Sequence, residues 1–189
     1  MNKHKIVWVL FIIFTGFAFQ GCLSVETKEY TFKLKNGNSG EGKVKYINIM
    51  RSDDSLGTIE SDYNDLVDSY LNGNKPEDEL LGVKNVKKRM FEEDNKLCGE
   101  MTFEFDDITK LKFFNYNNVT WAYYISAGAF GMFSGSETFF SSNGTFAGDL
   151  FPVVFWDGDQ KKFELKTALT QPSEKTKSLL DTWKQKGGK

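Results

Sequence analysis

Tyr30-Thr31-Phe32-Lys33-Leu34-Lys35, then Asn36-Gly37-Asn38-Ser39-Gly40-Glu41-Gly42, then Lys43-Val44-Lys45-Tyr46-Ile47-Asn48-Ile49 is the stretch that decides the fold class. Tyr30, Phe32 and Leu34 alternate with Thr31, Lys33 and Lys35, the period of a strand that buries one face. Asparagine and glycine dominate residues 36–42, which read as a turn, and residues 43–49 return as a second strand. Two such runs joined by a turn form an antiparallel hairpin.

The same reading extends outward. Residues 86–91 and 97–105 flank Glu92-Glu93-Asp94-Asn95 as a second hairpin, in which Lys87, Lys88 and Arg89 can face Glu100 or Glu104, each pair worth about 0.2–1 kcal/mol. Between the hairpins, Ile59, Tyr63, Leu66, Val67, Tyr70 and Leu71 recur at helical spacing. Ser61 is the expected N-cap, with Asp62 and Asp65 near the positive end of the helix dipole, and Gly73 the expected stop. A short second helix is expected over 76–81 because proline suits a first helical turn. Asp106 or Asp107 can cap one turn through Leu111. Strands are expected over 119–126, 152–156 and 161–169, and a C-terminal helix from Ser173 with Leu179, Leu180 and Trp183 on its apolar side. The expectation is an α+β single domain: an antiparallel sheet of hairpins, one main amphipathic helix and a short C-terminal helix.

The N-terminus has a different texture. Lys3 and Lys5 precede the apolar run Ile6 to Phe14 and the small or polar stretch Thr15 to Gly21, the layout of a secretory signal peptide. The apolar run falls short of the roughly 20 residues that a bilayer crossing needs. Gly21-Cys22, directly after it, resembles the lipobox of bacterial lipoproteins, although Phe19 and Gln20 stand where that family carries a branched aliphatic and a small residue. The resemblance implies cleavage before Cys22, diacylglycerol on its thiol and a place in the cell envelope. Leu23 after the cysteine implies the outer membrane if the organism has two. Attached acyl chains hold a protein to a membrane at about 0.8 kcal/mol per buried methylene. The expected organisation is residues 1–21 as signal peptide, 22–29 as lipidated tether and 30–189 as the folded domain, which resembles uncharacterised envelope lipoproteins that begin with a hairpin.

Composition excludes several classes of function. The mature chain would keep 22 basic and 26 acidic side chains, a net charge of −4, so no basic surplus exists to neutralise nucleic-acid phosphates. The only histidine, His4, leaves with the signal, which removes histidine-dependent triads and imidazole zinc sites. Cys98 is left without a partner for a disulfide and reads as a small buried side chain. Gly37 to Lys43 has the glycine and lysine spacing of a phosphate-binding loop, but Val44 replaces the hydroxyl that holds magnesium, and the segment joins two strands. Neither Asp157-Gly158-Asp159 nor the acids of the first helix follow a calcium loop. No cofactor and no metal are expected.

Two features remain. Glu92, Glu93, Asp106, Asp107, Asp157 and Asp159 lie near turns, and a sugar-cleaving site would require two such acids to converge. Aromatic residues are dense between Phe103 and Phe163. Most of them suit a strand core, but Phe130, Met132, Phe133, Phe139 and Phe140 sit among glycines and serines between Ala127 and Gly148, where Glu137 is the only charge. An uncharged, apolar segment can contact a protein partner, a lipid or an apolar ligand. The first functional expectation is therefore a non-enzymatic, membrane-anchored binding or envelope-assembly protein. The alternatives are a carboxylate-dependent hydrolase of envelope glycan and a structural envelope protein.

Overall fold

The computed structural model describes residues 23–52, 57–78, 80, 82–125 and 137–188. Its antiparallel sheets and few short helices make it the expected α+β protein, but the strands divide into two sheets rather than one. The larger is built on β1 (Leu23–Asn36) and β2 (Ser39–Ser52), flanked on one side by β4 (Lys96–Phe105) and β3 (Val83–Glu93) and on the other by β10 (Lys162–Ala168) and β7 (Thr138–Ser142). A short strand, β11 (Thr176–Ser178), also pairs with β2. The smaller sheet orders β5 (Phe113–Tyr116), β6 (Thr120–Tyr124), β9 (Val153–Asp157) and β8 (Thr145–Phe146).

The β1–β2 hairpin is longer than its alternation suggests. The strand begins at Leu23, where a tether over 22–29 was expected, and Leu23 and Val25 are buried. Inward positions are even-numbered from Lys28 to Leu34 but odd-numbered at Leu23 and Val25, because the ladder is interrupted at Glu26 and Asn48. Asn48 sits there at φ 58°, a left-handed conformation that asparagine tolerates better than most residues. Tyr46 and Ile49, on either side of the kink, both reach over Gly99. The Glu26 carboxylate pins the kink by accepting from Asn48 Nδ2 at 3.0 Å and Lys96 Nζ at 2.8 Å.

The turn is also tighter than expected. Gly37, at φ 57°, turns the chain, and Ser39 is already in β2. Gly40 and Gly42 are strand residues whose missing Cβ admits the Lys33 carbonyl and the Phe103 ring. On the far edge, β3 carries Lys84, Lys87, Lys88 and Arg89 and a register shift after Lys84, devices that keep an exposed edge from pairing with another chain. Arg89 meets Glu100 as expected, whereas Lys88 reaches Glu77 instead.

Helix α1 (Ile59–Asp65) starts at Thr58 rather than Ser61. Thr58 Oγ1 accepts from the Ser61 amide and Ser61 Oγ accepts from the Thr58 amide, a reciprocal capping box. The helix continues as a π-helical segment, Leu66–Leu71, which keeps Leu66 and Tyr70 buried. The second helix, α2, is Lys75–Asp78. Asp107 caps a 3-10 turn, Ile108–Leu111, as expected. Ser173 opens a turn that delivers the chain into β11, and the C-terminal helix α3 spans only Leu180–Gln185.

The two sheets meet through an aromatic layer. Phe113 lies 5.0 Å from Phe32, 5.2 Å from Phe163 and 5.0 Å from Tyr123 between ring centroids, and Trp121 and Trp156 close on Phe163. These contacts fix the relative direction of the sheets. Trp121 and Trp156 stand level with Phe163, while Phe139 on β7 stacks on Phe146 of β8 at 4.0 Å. Because Phe139 pairs with Thr167 and Thr167 with Lys28, β8 packs over the half of the large sheet nearer the start of β1.

Candidate functional site

Cys22, Phe130, Met132 and Phe133 lie outside the described residues. Phe139 is half-buried, and its stack on Phe146 makes it part of the packing between β7 and β8. Phe140 points the other way, exposed, with the Lys166 ammonium 5.2 Å from its ring centroid.

The feature least visible in the sequence lies beside Phe139. Lys28 Nζ is 2.9 Å from Glu137 Oε1, with side-chain exposures of 0% and 2%. Tyr30 OH donates to both carboxylate oxygens at 2.9 Å, and Thr167 Oγ1 donates to Oε2 at 2.7 Å. Burial, first, and then the Glu137 charge push the Tyr30 and Tyr123 phenols well above their ordinary range, so both stay protonated donors. A buried charge is tolerated when paired and fully hydrogen-bonded. Lys28 comes from β1, Thr167 from β10 and Glu137 from the residue before β7, so the cluster ties three adjacent chain segments together. With both members sealed from solvent, the arrangement fixes structure and offers no reactive group to a substrate.

The outer face of the small sheet is open and apolar. Phe114 and Tyr116 from β5 and Tyr124 from β6 are 64%, 62% and 52% exposed, with Ala122 and Phe155 between them in register. Asp157, paired with Thr120 at the rim, is the only charged side chain on that face of the four strands. The face exists because alternate residues of β5 and β6 (Phe113, Trp121, Tyr123) already fill the core, which leaves a second set of aromatics outside.

A groove of about 760 Å³ runs over the solvent face of the large sheet. It mixes charges of both signs: Lys33 and Glu41 lie 3.9 Å apart, Lys162 and Glu164 lie 2.6 Å apart, and Lys43, Lys87 and Glu104 also line it. Such mixed charge sets up no field selective for one sign of ligand.

Four of the six acids near turns are each engaged by a different partner. Glu92 is bridged to Lys184 and Glu93 to Lys45 at one end of the large sheet. Asp106 is bridged to Lys84, and Asp107 accepts from the Thr109 amide and hydroxyl. Hydrogen bonds from Lys84 hold Asp106 below the usual carboxylate range, and those from the Thr109 backbone and side chain do the same for Asp107. Asp157 and Asp159 flank the exposed turn from β9 to β10. Gly37 to Lys43 is a hairpin turn and strand with no helix N-terminus to receive a phosphate. Cys98 is buried, and burial pushes its thiol up, so it is a poor nucleophile in the folded chain. Among the described residues no group of three acids, histidines or cysteines gathers as a metal site.

Compared with protein-family models, curated proteins and solved structures, the chain matches none.

Proposed function

We propose that this chain is a bacterial lipoprotein, cut before Cys22 and lipidated there, that acts as a non-enzymatic binding protein of the cell envelope. Its binding surface is the outer face of the small sheet, and its partner is an envelope protein with an apolar patch of its own. The observation that carries this reading is the exposure of Phe114, Tyr116 and Tyr124 side by side on a face with a single rim charge. Isolated apolar residues on a surface are ordinary, but contiguous aromatics mark an interaction site. Aromatic side chains bring large contact area at little entropic cost, which is why they concentrate in interfaces. The separate engagement of Glu92, Glu93, Asp106 and Asp107, four of the six acids near turns, weighs against the glycan-hydrolase alternative.

The test places a photo-crosslinking phenylalanine analogue at position 114 of the full chain in cells and analyses the membrane-extracted product by mass spectrometry. The expected result is an acylated N-terminal peptide beginning at Cys22 and one recurrent protein adduct, lost when Tyr116→Ser and Tyr124→Ser are added. An unmodified Cys22 refutes the anchor. An acylated chain whose adducts are indifferent to those substitutions refutes the binding face, and recovery of a small apolar molecule in place of a protein reassigns the ligand.

A further inference from the structure

Resting on the lipid-anchored reading, we infer that the turn between β8 and β9 is a second membrane contact, in which Leu150 and Phe151 enter the lipid headgroup layer while Cys22 holds the chain. The inference joins two observations. The first is that no slack separates the anchor from the fold: Leu23, the residue after Cys22, is buried and paired with Arg51. A chain acylated at Cys22 therefore has the starting end of β1 within a few ångströms of the bilayer.

The second is that the β8–β9 turn lies at this same end. Thr27 pairs with Ala168, which pairs with Thr138. The Phe139–Phe146 stack sets β8 level with Thr167, the partner of Phe139, and β8 then runs on toward the end where β1 starts. Beyond it the Ala147 amide donates to the Val153 carbonyl and the Phe151 amide to the Gly148 carbonyl, with Gly148 at φ 117° turning the chain. Past Ala168, the Thr170 amide donates to the Val25 carbonyl. At about 3.3 Å of rise per strand residue, Lys28, which is level with the Phe139–Phe146 stack, lies roughly 17 Å from Leu23 along β1, and the turn runs on from β8 beyond that stack. At its tip Leu150 is fully exposed and Phe151 is 59% exposed.

A fully exposed leucine beside an exposed phenylalanine gains by leaving water, and a lipid surface held there by the anchor is an occupant of the right chemistry. Asp149, the neighbouring residue, is an exposed carboxylic side chain. It limits the depth, because a carboxylate is tolerated among headgroups and not in hydrocarbon. Two points of attachment would orient the domain, where acyl chains alone let it pivot.

The test uses full-length, acylated protein in vesicles of phosphatidylethanolamine and phosphatidylglycerol, with Leu150→Cys carrying an environment-sensitive fluorophore. Cys98 is buried and Cys22 is blocked by lipid, so position 150 takes the label. Val119→Cys, at the exposed turn between β5 and β6 on the opposite end, is the control. The expected result is a blue-shifted emission at 150, quenched by a nitroxide near the headgroup and not by one deep in the acyl chain, with neither effect at 119. Solvent-like emission at 150 in a chain whose N-terminal peptide is acylated overturns the inference and leaves the anchor standing. An N-terminal peptide without acyl groups overturns both.

Discussion

Replacing Lys28 by Met removes the cation paired with Glu137 while keeping an apolar stem of similar length in a site with no access to water. The abandoned carboxylate keeps its bonds from Tyr30 and Thr167, but a buried ion pair broken on one side typically costs about 3–5 kcal/mol. Proton uptake sets a ceiling on that cost. A glutamate in water titrates near about 4.3 and each pH unit is worth about 1.36 kcal/mol, so protonating one at pH 7 costs roughly 3.7 kcal/mol. At pH 5 the same step costs roughly 1 kcal/mol. The folded variant would then bind a proton that its unfolded chain has lost, so its stability falls as pH rises. The expected loss on Lys28→Met is about 3–4 kcal/mol at pH 7 and about 1 kcal/mol at pH 5. Adding Glu137→Gln removes the charge and recovers most of the loss. Urea unfolding followed by the buried Trp121, Trp156 and Trp183 gives both numbers, referenced to the parent at each pH. The reasoning is refuted if Lys28→Met loses the same amount at both pH values, or if the double variant is no more stable than the single one.

Three further outcomes are expected. For Glu26, burial pushes the carboxyl up, but hydrogen bonds from Lys96 and Asn48 and the Lys96 charge outweigh it and leave the group below its ordinary range. Its contribution to stability is present above the unfolded value and lost as pH falls through the folded one, so Glu26→Gln should lose less stability than the parent between about pH 5 and pH 3, read by thermal melts. Gly158→Ala would drive a Cβ into the backbone carbonyl of Asn118. That carbonyl cannot swing aside as a side chain does, and the expected cost is about 3 kcal/mol, the upper end of overpacking penalties, measured by urea unfolding. Cys98 should react with a thiol reagent many times more slowly in the folded chain than in urea, and equal rates in the two states would contradict its burial.

The parts of this fold that were legible in the sequence are those whose burial pattern is local. Strand alternation located the hairpins around residues 36–39 and 93–96, and helical spacing located Tyr63, Leu66 and Tyr70 on one face. The division into two sheets was not legible. Trp121 and Val154 read as strand residues whichever sheet receives them, and only the long-range pairing of β1 with β10 separates the layers. Leu23 and Val25 were missed because the Glu26–Asn48 kink reverses which parity faces inward, so an alternation read backward from Tyr30 stops too soon. Gly40 and Gly42 looked like turn residues because sequence does not distinguish a glycine that bends the chain from one that lets another group approach.

Lys28 and Glu137 show the same limit in sharper form. Read locally, Lys28 belongs to a polar run of threonine, lysine and glutamate, and nothing within it forecasts complete burial. Burying an ammonium requires a counter-charge, and the counter-charge lies 109 residues away. A signal did exist on the other side of the pair: Glu137 is the only charge between Ala127 and Gly148. An acid kept alone in an otherwise uncharged stretch is either exposed for solubility or retained for a partner inside. The packing of Phe139 on Phe146 two positions later, with the burial of Tyr30 on β1 and Thr167 on β10, selects the second case. Tyr123, whose phenol is pushed up by burial and then by the Glu137 charge, lies on the inner face of β6 immediately before the outward-facing Tyr124.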